Sequence, residues 1–215
     1  MTHRVRSTLI AAAALLLSPL AGAGVIGTAG DVSLIPAPAA ATKNSDISVA
    51  SGDSSSFVWF ESAGVLGADL TIDFDTPGTR TGNPNNIVLG AGTYVESYMI
   101  FFDVQGSATG SSSGSVTFDA DVIGVIGQEG LLRQSHDLLG AVGTEYITGS
   151  NSFQGIWDSR GDSVTLGNDL RTIDFNFTVG TAIDSIRILT QASPVPSPAP
   201  LVLLLVGALA LLRRR

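Results

Sequence analysis

Thr172-Ile173-Asp174-Phe175-Asn176-Phe177-Thr178-Val179 alternates short polar side chains with large apolar ones for eight residues. Successive side chains of a strand point to opposite faces, so Ile173, Phe175, Phe177 and Val179 share one face and Thr172, Asp174, Asn176 and Thr178 the other. Such a segment reads as a half-buried strand of an antiparallel sheet with one wet face. The same period recurs upstream. Leu70, Ile72 and Phe74 alternate with Asp69, Thr71, Asp73 and Asp75, and Val116, Phe118, Ala120 and Val122 with Thr117, Asp119 and Asp121.

Ser56 to Glu61, Gly92 to Val104 and Ala182 to Thr190 are rich in β-branched and aromatic residues and supply further strands. Thr76-Pro77-Gly78, Gly82-Asn83-Pro84-Asn85-Asn86 and Gly161-Asp162 mark turns, and Gly106 to Gly114 reads as a flexible hairpin loop. Only Glu129 to Leu139 has helical character. Many short strands without strand–helix alternation predict an all-β chain, an antiparallel two-sheet sandwich of jelly-roll type.

The two ends read differently. Residues 1–23 combine Arg4 and Arg6, an apolar run from Leu9 to Leu17, and the small residues Ala21-Gly22-Ala23. That is the layout of a secretory signal peptide, with cleavage expected after Ala23. Residues 194–215 open on a proline-rich stretch, continue through twelve apolar or glycine residues from Leu201 to Leu212, and end on Arg213-Arg214-Arg215. As a helix the apolar part rises about 18 Å, against roughly 30 Å of bilayer hydrocarbon. The arginines would hold the extreme C-terminus on the cytoplasmic side and leave the body outside the inner membrane.

Val195-Pro196-Ser197-Pro198, the short hydrophobic helix and the arginine cluster together resemble the PEP-CTERM sorting signal of Gram-negative bacteria. That family usually has Val-Pro-Glu-Pro, and Ser197 stands where the glutamate would be. The resemblance implies secretion, transient anchoring in the inner membrane through the C-terminal helix, removal of the tail by an exosortase-like enzyme, and arrival at the cell surface or extracellular matrix. A second likeness covers about Ser56 to Gln191. Val58-Trp59-Phe60-Glu61, Ala91 to Tyr98 leading to Phe102-Asp103, Gly114 to Asp119, Asp162-Ser163-Val164 and Ile183 to Thr190 are similar to a recurrent type of exported protein that carries such tails. It implies export and a β-sandwich, and no activity.

Gly24 to Ser193 is the predicted domain, 170 residues with six basic and nineteen acidic side chains, a formal charge of −13. Nucleic acid phosphates repel such a surface, which excludes a DNA- or RNA-binding role. The chain has no cysteine, which removes thiolate nucleophiles and cysteine metal sites.

Gly110-Ser111-Ser112-Ser113-Gly114 has the letters of a nucleophile elbow but lacks the following helix, so it reads as loop. His136 is the one histidine of the body. Its neighbours Ser135 and Asp137 cannot form a relay with it, because adjacent side chains diverge on strand and helix alike; an exposed or hydrogen-bonded histidine is the plainer reading. The acidic side chains suit calcium, which takes roughly 6 to 8 oxygen ligands. Asp158, Asp162 and Asp169 are the candidate ligands, and Asp73 with Asp75 or Asp119 with Asp121 could add more from a sheet face; the alternative is that these carboxylates cover solvated strands. Trp59, Tyr94, Tyr98 and Tyr146 read mainly as core, and Trp157, flanked by glycine and polar residues, is the candidate for stacking on an extracellular polysaccharide.

A non-enzymatic cell-surface or extracellular-matrix protein, handled by the secretion machinery and a sorting enzyme and carrying no obligate cofactor, is the function that follows. A carbohydrate-binding jelly-roll module is the alternative. A hydrolase using carboxylates or His136 comes third.

Overall fold

Ile173, Phe175, Phe177 and Val179 are buried while Asp174 and Asn176 are exposed, as their alternation requires. The computed structural model describes residues 24–81, 85–106, 108–148, 155–156, 161–180 and 182–191, all within the compact unit Ala23–Ser193. The predicted signal peptide and the predicted C-terminal hydrophobic helix lie outside the described residues. In chain order the elements are β1 (Val25–Gly30), β2 (Val32–Leu34), β3 (Ala40–Ala41), β4 (Ser56–Val65), β5 (Leu70–Ile72), β6 (Gly78–Arg80), β7 (Ile87–Leu89), β8 (Tyr94–Phe102), β9 (Gly110–Phe118), β10 (Val122–Ile126), α1 (Glu129–Leu139), β11 (Glu145–Tyr146), β12 (Ser163–Leu166), β13 (Thr172–Val179) and β14 (Asp184–Gln191). The protein is therefore mostly β, in several sheets, with one short helix among the described residues. No described helix is long and apolar enough to cross a membrane.

Two five-stranded sheets dominate, in the orders β1-β9-β13-β12-β6 and β10-β14-β8-β4-β2. Their facing side chains make one core: Val116 and Phe118 of β9, Val164 of β12 and Phe175 and Phe177 of β13 from the first sheet, with Val58 of β4, Tyr98, Ile100 and Phe102 of β8 and Ile186 and Ile188 of β14 from the second. The outer face of the first sheet is wet; Ser115, Asp174, Thr165 and Thr79 lie side by side across four strands, and the row ends on Ala29 of β1.

Two features depart from the expectation of antiparallel sheets with one wet face each. First, β2 pairs with β4, and β3 with β11, in parallel. A parallel pair needs a long crossover, and the 21 residues between Leu34 and Ser56 provide it. Second, the outer face of the second sheet is covered. Trp59 of β4, Val95, Met99 and Phe101 of β8 and Leu189 of β14 form a second core with Leu132 and Leu139 of α1, Leu70 and Ile72 of β5 and Ala41 of β3. This is why eight of the nine residues of β8 are buried.

The predicted loop at Gly106 to Gly114 is corrected: Gly110–Phe118 is a strand, paired along its length with β13 and over Gly114–Phe118 with β1. Its glycines and serines reflect crowding rather than flexibility. A Cβ on Gly114 would come within 2.4 Å of Val32 Cγ2 and 2.7 Å of the Ala29 carbonyl, and one on Gly110 within 2.5 Å of Val104 Cγ2. Ser112 points inward between them, and its hydroxyl meets that of Ser56 at 2.5 Å, joining the two sheets. The pentad that spells a nucleophile elbow is thus a closely packed strand.

α1 spans the residues predicted for it. Its buried positions, Leu132, Ser135, His136 and Leu139, recur at helical spacing, and Glu129 in the first turn complements the helix dipole. Gln128 at its start makes no side-chain cap. Asp73, at the end of β5, serves instead: one carboxylate oxygen accepts the N–H groups of Gly127 at 2.5 Å and Gln128 at 2.7 Å. Asp73 is accordingly buried and not on a wet face.

Candidate functional site

The polar centre of the second core is Arg187, on β14 between Ile186 and Ile188. Its side chain is fully buried, as is that of Glu61 opposite. Glu61 owes its position to a β-bulge. In the pairing of β4 with β8, Phe60 stands opposite Tyr98 and Ser62 opposite Ser97, so Glu61 is the extra residue. A bulge re-aims side chains. Both Glu61 and Ser62 thereby address the helix layer, where the Ser62 hydroxyl donates to the Leu139 carbonyl at 2.7 Å.

All five N–H donors of the guanidinium are engaged. Nε and Nη2 grip the two Glu61 oxygens at 2.6 and 2.7 Å. Nη1 reaches the Ser135 hydroxyl and, at 3.4 Å, the Leu132 carbonyl, both on α1. The remaining Nη2 donor meets His136 Nδ1 at 3.1 Å. A guanidinium only donates, so Nδ1 accepts, and the imidazole in this contact is neutral with its proton on Nε2.

Glu61 is as thoroughly held. Ser97 donates to Oε2 at 2.7 Å and Tyr146, on β11, to Oε1 at 2.6 Å. The Tyr146 hydroxyl in turn accepts the Ala141 N–H at 3.0 Å, and its ring stacks on His136 with centroids 4.5 Å apart. Burial first, and then the neighbouring Glu61 charge, raise the Tyr146 phenol above its ordinary pKa. The Ser135 hydroxyl in turn donates a hydrogen bond to the Leu132 carbonyl at 2.8 Å. The cluster ties five elements together, β4, β8, α1, β11 and β14, and its interaction partners are other residues of the fold. That is the chemistry of a structural clamp.

A second charged cluster joins loops at the end of the sheets. Lys43 pairs with Asp103, whose side chain is fully buried, and its ammonium also faces the carbonyls of Val104 at 2.9 Å, Ala182 at 3.3 Å and Gly180 at 3.5 Å. The other Asp103 oxygen accepts the Asn44 N–H at 2.8 Å and the Ser48 hydroxyl at 2.5 Å. One carboxylate and three carbonyls surround the amine, a donor set in which a tethered ammonium takes the place a small cation would fill.

Of the proposed calcium ligands, Asp158 lies outside the described residues. Asp162 is buried at one end of β12, where it accepts the Thr178 N–H at 2.7 Å. Asp169 is exposed in the turn at the other end, accepting the N–H groups of Arg171 and Thr172 at 3.0 Å and the Thr172 hydroxyl at 2.7 Å. Four strand residues separate the two, roughly 13 Å, so Asp162 and Asp169 do not share one ion. Asp73 caps the helix junction, Asp119 holds Gly24, and Asp121 pairs with Arg171 at 2.9 Å. Among the described residues no three His, Asp or Glu side chains are placed to hold a metal ion.

Trp157, Ala21, Ala23, Val195, Pro196, Ser197, Pro198 and Arg213 to Arg215 also lie outside the described residues. Trp59 and Tyr98 are core, as read from the sequence, and Tyr146 belongs to the clamp. The clamp itself was missed. Its one sequence signal is a lone arginine inside the apolar run Ile186 to Leu189, where an unpaired charge would be very costly. Compared with protein-family models, with curated proteins and with solved structures, the chain matches none.

Proposed function

We propose that this chain is an exported, non-enzymatic protein of the cell surface or extracellular matrix, a jelly-roll-type sandwich delivered through its C-terminal tail by an exosortase-like enzyme. One observation carries the reading: the strands of both large sheets fall between Val25 and Gln191, inside the two segments that read as address signals. Every described strand is thus retained when residues 1–23 and the tail are removed. The jelly-roll description rests on the path of the chain, which crosses between the sheets repeatedly, from β8 to β9, β9 to β10, and β13 to β14. The non-enzymatic reading is supported by His136, the body's one histidine, whose Nδ1 is taken by a buried guanidinium.

The experiment compares the full chain with a version lacking Leu201–Arg215 in a Gram-negative host that has an exosortase. Intact mass of the surface and medium fractions is the readout. Loss of the residues beyond Pro198 from the full chain, together with failure of the truncated one to arrive in the same form, is the expected result. Identical delivery and mass of the shared body would overturn it.

A further inference from the structure

Gly24 is held at both of its polar groups by one residue. Its N–H donates to Asp119 Oδ1 at 2.7 Å, and its carbonyl accepts the Asp119 N–H at 3.1 Å. β1 begins at the next residue, Val25, which pairs with Phe118 immediately before Asp119. The clasp therefore sits where the first strand enters the first sheet. A Cβ built on Gly24 would meet nothing within 4 Å, so the space around this residue is open.

We propose that Asp119 is the seat of a new N-terminus: hydrolysis of the Ala23–Gly24 peptide bond turns the Gly24 amide into an α-ammonium that Asp119 captures as an ion pair. This rests on the export reading. In the step one water is consumed and the C–N bond breaks; Ala23 departs with the carboxylate, and the Gly24 nitrogen takes up protons to become an ammonium with three donors. An amide offers Asp119 one hydrogen and no charge. The ammonium offers a full charge at the same atom, so processing strengthens the contact that starts β1.

The pairing raises the amine's pKa in the folded protein, because the opposite charge favours the protonated form. Its stabilisation is present below the unfolded α-amino value, roughly 7.7 to 8.0, and lost as pH rises through the folded value. Tyr98 on β8 feels the Asp119 charge and is itself held by Glu96, and Asp121, two residues along, is already paired with Arg171.

The test expresses the full chain in a Gram-negative host, recovers the exported protein, sequences its N-terminus and follows reductive methylation of the α-amine against pH. The expected terminus is Gly24-Val25-Ile26-Gly27. The labelling midpoint of the folded protein is expected about one pH unit above that of the urea-unfolded protein, with Asp119→Asn closing the gap. A terminus at any other residue, an uncleaved chain, or equal midpoints in folded and unfolded wild type would overturn the proposal. The wild-type comparison needs no variant to fold. Delivery that proves independent of Leu201–Arg215 would sink the sorting reading and leave these readouts intact, so the two failures are distinguishable.

Discussion

Arg187 and Glu61 form a two-pronged ion pair across β8, the strand that lies between their own, and do so in the space between a sheet and a helix. Neither side chain touches water. Removing one partner strands the other charge in an apolar interior, for which about 3–5 kcal/mol is typical. Glu61→Ala and Arg187→Met are each expected to lower unfolding free energy by that order in urea titration. The double variant Glu61→Ala/Arg187→Met is expected to cost clearly less than the sum, since neither charge is then left buried without its counter-charge. Additive losses would show that the pair is not coupled.

Lys43→Met tests the second cluster in the same way. Asp103 keeps its Asn44 and Ser48 donors but loses its counter-charge, and three carbonyls lose a donor. A loss of about 3 kcal/mol is expected. Amide exchange should accelerate first at Val49, whose N–H donates to the Asp103 carbonyl at 2.8 Å. Unchanged protection at Val49 would argue that the ammonium is a bystander.

Gly114→Ala places a methyl group 2.4 Å from Val32 and 2.7 Å from a backbone oxygen. The backbone cannot give way as a side-chain tip can, so overpacking of about 1–3 kcal/mol is expected. Ser113→Ala, one residue away on the exposed face, is the control and is expected to stay within about 0.5 kcal/mol. Equal melting temperatures for the two variants would contradict the crowding argument.

Asp169 carries a pH prediction. Hydrogen bonds from the Arg171 N–H and from Thr172 hold its carboxyl below the ordinary 3.8. A depressed folded pKa stabilises the fold above the unfolded value and stops doing so as pH falls through the folded one. Asp169→Asn is expected to flatten the stability profile below pH 4 and to lower melting slightly at neutral pH, where the ionised carboxylate contributes, so that the two proteins converge in acid. A wild-type slope retained in the variant would assign the effect elsewhere.

The strand identities were legible where burial is one-sided. β13 sits in a sheet with one wet face, so period two is written plainly in Thr172–Val179, and α1 was legible because its buried face repeats at helical spacing. β8 was legible only as an apolar run, because both of its faces are covered. β9 was misread for a physical reason: close approach of the second sheet demands glycine and serine, which in isolation spell a loop. The acidic residues misled similarly. Asp73, Asp103 and Asp162 read as solvated or cation-binding carboxylates or drew no attention, and they are buried, accepting N–H groups from distant segments. Such pairings join residues far apart in sequence, and no local spacing encodes them.

The wet side of the first sheet has a colloidal consequence. Among the described residues, serine, threonine, asparagine and aspartate line it across β9, β13 and β12, the exposed Ile26 lies on the edge strand β1, and Asp174 stands in the middle strand. Two copies brought face to face over the central strands would bury little oil-like area and would bring like charges together at Asp174. At high local density, molecules of this protein should therefore slide past one another on that side rather than stack into ordered aggregates.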